Sequence, residues 1–166
     1  MATVDVSNGL GGAPRPVRSL TNIPYFVEKE VDWAVAATVK GTALAAADVL
    51  EVIDVPANTM VLNAGIEVTA VATGESNDTT LDLGITGVEA DNFVDGFDLD
   101  AAAAGAYAQN AAAFQPLIVG ATADTIDVLI ATATTAPTGG KIRVWALLCN
   151  IDAKPAPGGV DRDTLA

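Results

Sequence analysis

The chain has 166 residues, enough for one domain with a buried core, and a formal net charge of −13 from 21 acids and 8 bases. Alanine supplies much of its 51% hydrophobic content, and no stretch offers the roughly 18 unbroken apolar residues that a membrane-spanning helix needs. There is no histidine at all, which removes the commonest general base, the usual catalytic triads and most zinc sites.

The charge is unevenly placed. Between Lys40 and Lys141 the chain carries fourteen Asp and Glu residues and no Lys or Arg. A body of one sign repels phosphate backbones and anionic lipid heads, so neither nucleic acid nor membrane is an expected partner. The start, Met1-Ala2-Thr3-Val4-Asp5, lacks the positive-then-apolar order of a signal peptide, and the lone Cys149 leaves no intrachain disulfide framework. Both features suit a soluble protein made in a reducing cytoplasm.

Residues 1–23, with Gly9, Gly11, Gly12, Pro14 and Pro16, read as an extended N-terminal arm, because proline and its preceding residue resist helix. Residues 24–152 form the body. Residues 153–166, opening on Ala153-Lys154-Pro155-Ala156-Pro157-Gly158-Gly159, read as a flexible C-terminal tail.

Within the body the hydrophobic period is two. Tyr25–Trp33 is a weak strand candidate, and Val49–Val55 is a clearer one closed by Pro56-Ala57-Asn58. Leu62, Ala64, Ile66, Val68 and Ala70 alternate with polar or small residues, as a half-buried strand requires, and Leu81, Leu83 and Ile85 do the same. The polar run Thr73–Asp78 between them predicts a hairpin connection. Ala101–Phe114 is alanine-rich but has no amphipathic stripe, so an irregular loop with about one helical turn is expected. Pro116–Val119 is a second weak strand, and Asp124–Thr134 is a firm one around Ile126, Val128 and Ile130.

The last strand follows the turn Pro137-Thr138-Gly139-Gly140. In Lys141–Ile151 the pattern alternates at first, but from Val144 to Cys149 both faces are apolar. One face should meet the core. The other, with Trp145, Leu147 and Cys149, should meet another sheet element, the N-terminal arm or a neighbouring subunit, and is the candidate oligomer interface. Short strands with β-branched residues and Gly/Pro turns predict an all-β sandwich, either jelly roll or Greek key.

Little in the chain carries catalytic chemistry. Cys149 lies in an apolar strand with no histidine partner, so a structural thiol is the reading preferred over a nucleophile. Serine occurs only at Ser7, Ser19 and Ser76, and neither Gly11-Gly12 nor Gly139-Gly140 leads into the Lys-Ser/Thr of a phosphate loop. The densest polar stretch is Asp91–Asp100. Its Asp91, Asp95, Asp98 and Asp100 are candidate calcium ligands, since hard cations gather oxygen ligands near glycine turns. As an EF-hand loop the stretch fails, with Phe93 at position three and Ala102 at position twelve. The alternation in Asp95–Asp100 suggests instead a solvated strand edge or loop, with Phe97 and Leu99 buried.

The run Val49-Leu50-Glu51-Val52-Ile53-Asp54-Val55-Pro56-Ala57-Asn58-Thr59-Met60-Val61-Leu62, followed by a Thr/Asp-rich strand, Asp95-Gly96 and Gly139–Ile142, resembles small structural proteins of tailed bacteriophages. The likeness is to capsid decoration (cement) proteins, especially of marine and cyanobacterial phages, over residues 48–151. Asn58 stands where a glycine is expected. The resemblance implies a sandwich or jelly-roll protein on the virion surface, often trimeric, clamped onto the major capsid protein. With it, Arg15, Arg18, Tyr25 and Phe26 become candidate capsid-binding residues. Three rivals stay open: a calcium- or glycan-binding adhesin-like sandwich, a head-fibre or tail protein, and an enzyme with an acidic pair.

Overall fold

A computed structural model describes residues 23–85 and 87–151. The arm and tail expected at the two ends, with Arg15 and Arg18, lie outside these residues apart from Ile23. In chain order the elements are β1 (Tyr25–Asp32), α1 (Trp33–Lys40), β2 (Val49–Val55), β3 (Thr59–Thr73), β4 (Thr80–Ile85), β5 (Glu89–Asp98), β6 (Tyr107–Gln109), β7 (Leu117–Val119), β8 (Asp124–Thr132) and β9 (Gly139–Asn150).

The strands form two antiparallel sheets. One runs β1-β9-β3-β6, with β7 also paired to β3; the other runs β2-β8-β4-β5. Between them lies one core, to which the first sheet contributes Val61, Ile66, Val68, Ile142, Val144 and Leu148. The second contributes Val55, Leu81, Leu83, Phe93, Ile126 and Ile130. This is the all-β sandwich that the period of two implies, with little helix and an arrangement consistent with a jelly roll.

Several local expectations are corrected. β3 and β4 belong to different sheets, so Thr73–Asp78 is not a hairpin turn but a crossing between the layers. It is tied down by the segment before β9: Ser76 N–H donates to Thr135 O at 2.9 Å, and Thr138 N–H donates to Thr73 O at 2.9 Å. Turn-forming residues mark a reversal of the chain but not the sheet in which it resumes. Leu62 is also not on the buried face. The pairing of β3 with β9 skips a residue between Val61 and Asn63, so Val61 is buried and Leu62 is left half-buried at a bulge.

The helix α1 was not expected. Its caps are nevertheless plain in the chain: Asp32 accepts from Ala34 N–H at 3.0 Å and Val35 N–H at 3.2 Å, and Gly41 closes the helix at φ 79°. The Tyr25–Trp33 strand therefore stops at Asp32, and Trp33 turns inward to become fully buried. Ala101–Phe114 contains no helix; it is made of turns and the short strand β6. Of the two alternatives for the acidic stretch, the strand edge holds: Asp91–Asp98 lies in the ten-residue edge strand β5, with Phe93 and Val94 buried.

Candidate interaction face

β9 is the central strand of the five-stranded sheet, between β1 and β3. Ile142, Val144, Ala146 and Leu148 enter the core, so Lys141, Arg143, Trp145, Leu147 and Cys149 point to the opposite, outer face. On one side the register places Phe26, Glu28, Glu30 and Asp32 beside this row. On the other it places Met60, Asn63, Gly65 and Glu67. The sheet reads the second apolar side of β9 as a surface.

That surface has two halves. At the Lys141 end, charges alternate across three strands. Arg143 pairs with Glu67 on β3 and stands 3.5 Å from Glu28 on β1, while Lys141 reaches Glu30 at 2.7 Å and Asp32 at 3.8 Å. Hydrogen bonding to Glu67 raises the Arg143 pKa, and hydrogen bonding to Glu30 raises that of Lys141. These cations are neutralised within the sheet.

The other half is apolar. The ring of Phe26 stacks on Trp145 with centroids 6.0 Å apart and planes at 18°, and Phe26 remains 58% exposed. The register carries the same face on to Ile118, beside Met60, and at the charged end to Tyr107, beside Glu67; both are exposed. Leu147 and Cys149 are half-buried between them, and Cys149 is a free thiol. Large apolar side chains gathered on one exposed sheet face mark an interaction surface more often than a solvent surface.

Both ends of the body leave beside this apolar half. Tyr25, at the start of β1, pairs with Leu148, and Ile151 N–H donates to Asn58 O at 2.8 Å just past β9. The structure thus brings Phe26, a candidate capsid contact, together with Trp145, Leu147 and Cys149 of the candidate oligomer interface. Tyr25 sits on the other side of β1, at the sheet edge.

The four candidate calcium ligands fare differently. Asp91, Asp95, Asp98 and Asp100 are all exposed, and Asp98 accepts Ala101 N–H at 3.1 Å. Among the described residues no three His, Cys, Asp or Glu side chains stand close enough to hold a metal ion. β5 is an extended strand, which spreads along its length acids that a loop would gather. The neighbouring Asp82 is the perturbed acid. Burial raises its pKa, the Gly96 N–H at 2.7 Å opposes that, and the charges of Asp95 and Asp91 add to the rise.

No protein-family model and no curated protein matches the chain in sequence. Its fold does match solved structures. The fold resembles that of chains in bacteriophage capsids. A chain of the cyanophage Pam1 capsid asymmetric unit superposes with a TM-score of 0.60 at 18% identity, over 89% of this chain and 96% of that one. A chain in the capsid of Ralstonia phage GP4 gives 0.59 at 18% identity, over 81% and 89%. A third, in the acid-stable capsid of Helicobacter pylori bacteriophage KHP30, gives 0.51 at 12% identity, over 78% and 88%. At such identities the likeness is one of fold. It spans most of each chain, so it concerns the whole sandwich and not a shared motif.

Proposed function

We propose that the chain is a capsid decoration (cement) protein, which binds the major capsid protein shell of a tailed phage and stabilises the head. The observation that carries this reading is the whole-chain likeness to the Pam1 capsid chain, 96% of which is covered. The absence of histidine and of any metal-holding cluster among the described residues agrees with a structural role.

In this reading residues 1–23 are an arm and residues 153–166 a tail, both gripping the shell from the end where the body releases them. Arg15, Arg18 and Tyr25 contact the capsid there. The acidic stretch between Lys40 and Lys141 faces outward and gives the particle a hydrated, negative exterior. Copies meet through Phe26, Trp145, Leu147 and Cys149, as a trimer on the particle. Binding only the assembled shell, many copies reinforce it by mass action.

The test is retention of the protein on purified phage heads washed from low to high salt, with and without a chelator. Attachment through buried apolar contacts should survive salt, since only exposed charges are screened beyond about 8 Å at physiological ionic strength. Absence of the protein from every particle would sink the reading, and release by chelator alone would revive a cation-dependent sandwich.

A further inference from the structure

The register of the first sheet sorts its outer face into rows that run across the strands. Glu30, Arg143, Glu67 and Tyr107 make one row, and Glu28, Trp145, Gly65 and Gln109 make the next. Phe26, Leu147 and Asn63 follow, and then Cys149, Met60 and Ile118. Charge stops at Glu28. The last two rows carry none.

Four stretches of chain supply that end of the sheet: residues 23–27, 55–66, 101–123 and 144–151 contain no Asp, Glu, Lys or Arg. The fold joins them, because β1 and β3 start where β9 ends, and β7 lies beside β3. Asn58 N–H donates to Gly120 O and Ile151 N–H to Asn58 O, both at 2.8 Å, which ties three of the stretches together. Asp54 and Asp124, which flank two of them, lie on β2 and β8 of the other sheet. Among the described residues, this end of the five-stranded sheet is therefore uncharged.

The charge of the rest selects the occupant. A basic partner would be drawn to the acidic remainder of the body and would gain nothing electrostatic here. A second copy of this chain is in the opposite position. Each copy carries −13, so two of them repel wherever acids face acids. Only an uncharged surface lets them touch without setting like charges side by side. Phe26 and Ile118, each 58% exposed, give that surface apolar area to bury.

We infer that a second copy of this chain docks on the whole uncharged end, from Phe26 on β1 across to Ile118 on β7, and that salt strengthens the contact. This rests on the self-contact of the decoration reading, widens it to Met60, Asn63 and Ile118, and gives its salt dependence a sign. The contact itself is apolar and indifferent to screening, whereas the repulsion between the two acidic bodies is long-ranged. Raising the salt from about 10 to about 100 mM shortens the screening length from about 30 to about 10 Å.

Sedimentation equilibrium of the full chain in solution, at those two sodium chloride concentrations, tests this. The association constant should rise at least about tenfold from the lower to the higher salt. Ile118→Ser should lower it at least about tenfold with an unchanged circular dichroism spectrum, and Phe26→Ser repeats the test from the opposite margin. Tyr107→Ser, in a charged row, should leave it unchanged. A chain that stays monomeric at both salts would overturn the proposal. So would association that weakens with salt, which would mean contact between opposite charges, or equal losses in Ile118→Ser and Tyr107→Ser. Retention on phage heads is read separately: a monomer still held there removes this inference and leaves the decoration role standing, and association without retention does the reverse.

Discussion

The benzo ring of Trp145 fills the space over Gly65 where any other residue would place its Cβ, which would lie 2.7 Å from Cζ2 and 2.8 Å from Cε2. The same Cβ would stand 2.7 Å from Ala108 O on β6. Glycine at this position lets the indole lie flat on the sheet, where Phe26 then stacks on it. Gly65→Ala should therefore push the ring off the sheet and strain the β3–β6 pairing. The expected cost is roughly 1–3 kcal/mol by chemical unfolding, with a red shift in tryptophan emission. An unchanged midpoint would show that the ring moves aside freely.

Phe26 offers a cleaner test of the interaction face, because it is more exposed than Trp145, on whose outer side it stacks. Phe26→Glu should change stability by no more than about 0.5 kcal/mol yet disperse the proposed trimer and lower retention on phage heads. Sedimentation together with circular dichroism reads both properties. A variant that unfolds would instead make Phe26 part of the core.

The crossing between the sheets should respond to acid. The Asp78 pKa is lowered to about 2, chiefly by the Ser76 hydroxyl and then by the Thr134 N–H and hydroxyl at 3.0 and 2.7 Å. A depressed carboxylate stabilises the fold above its ordinary pKa and loses that contribution as pH falls from about 4 toward 2. Asp82 has the opposite sign. Its raised pKa penalises the folded state at neutral pH, and the penalty is relieved as the pH falls through that pKa. Asp78→Asn should flatten the acid limb of the stability curve below pH 4, whereas Asp82→Asn should raise stability at pH 7. Parallel acid limbs in wild type and Asp78→Asn would argue against a stabilising role for the hydrogen bonds to Asp78.

The cap of α1 should be separable from its packing. Asp32→Ala removes the acceptor for two N–H groups and should cost about 1 kcal/mol. Asp32→Asn keeps an acceptor and should recover most of it. Thermal melts followed in the near ultraviolet, where buried Trp33 reports, distinguish the two.

The sequence alone determined the architecture, because a period of two is a local property. Ile126, Val128 and Ile130, or Ile142, Val144, Ala146 and Leu148, bury one face whatever strand lies beside them. It also determined the absence of histidine chemistry and the acidic body. Local signals for α1 were present in Asp32 and Gly41 but were overshadowed by the β-like run before them.

Only the tertiary structure decided which strands are neighbours. A polar loop such as Thr73–Asp78 closes a hairpin or crosses a sandwich with the same residues, since both demand only a solvated reversal. The outer face of β9 is the clearest case. Its apolar side chains promised a second covered side, but Phe26, Trp145 and Ile118 come from segments up to 119 positions apart in the chain. Their common face exists only once β9 is placed between β1 and β3, because register across strands is set by long-range pairing and leaves no mark at any one position.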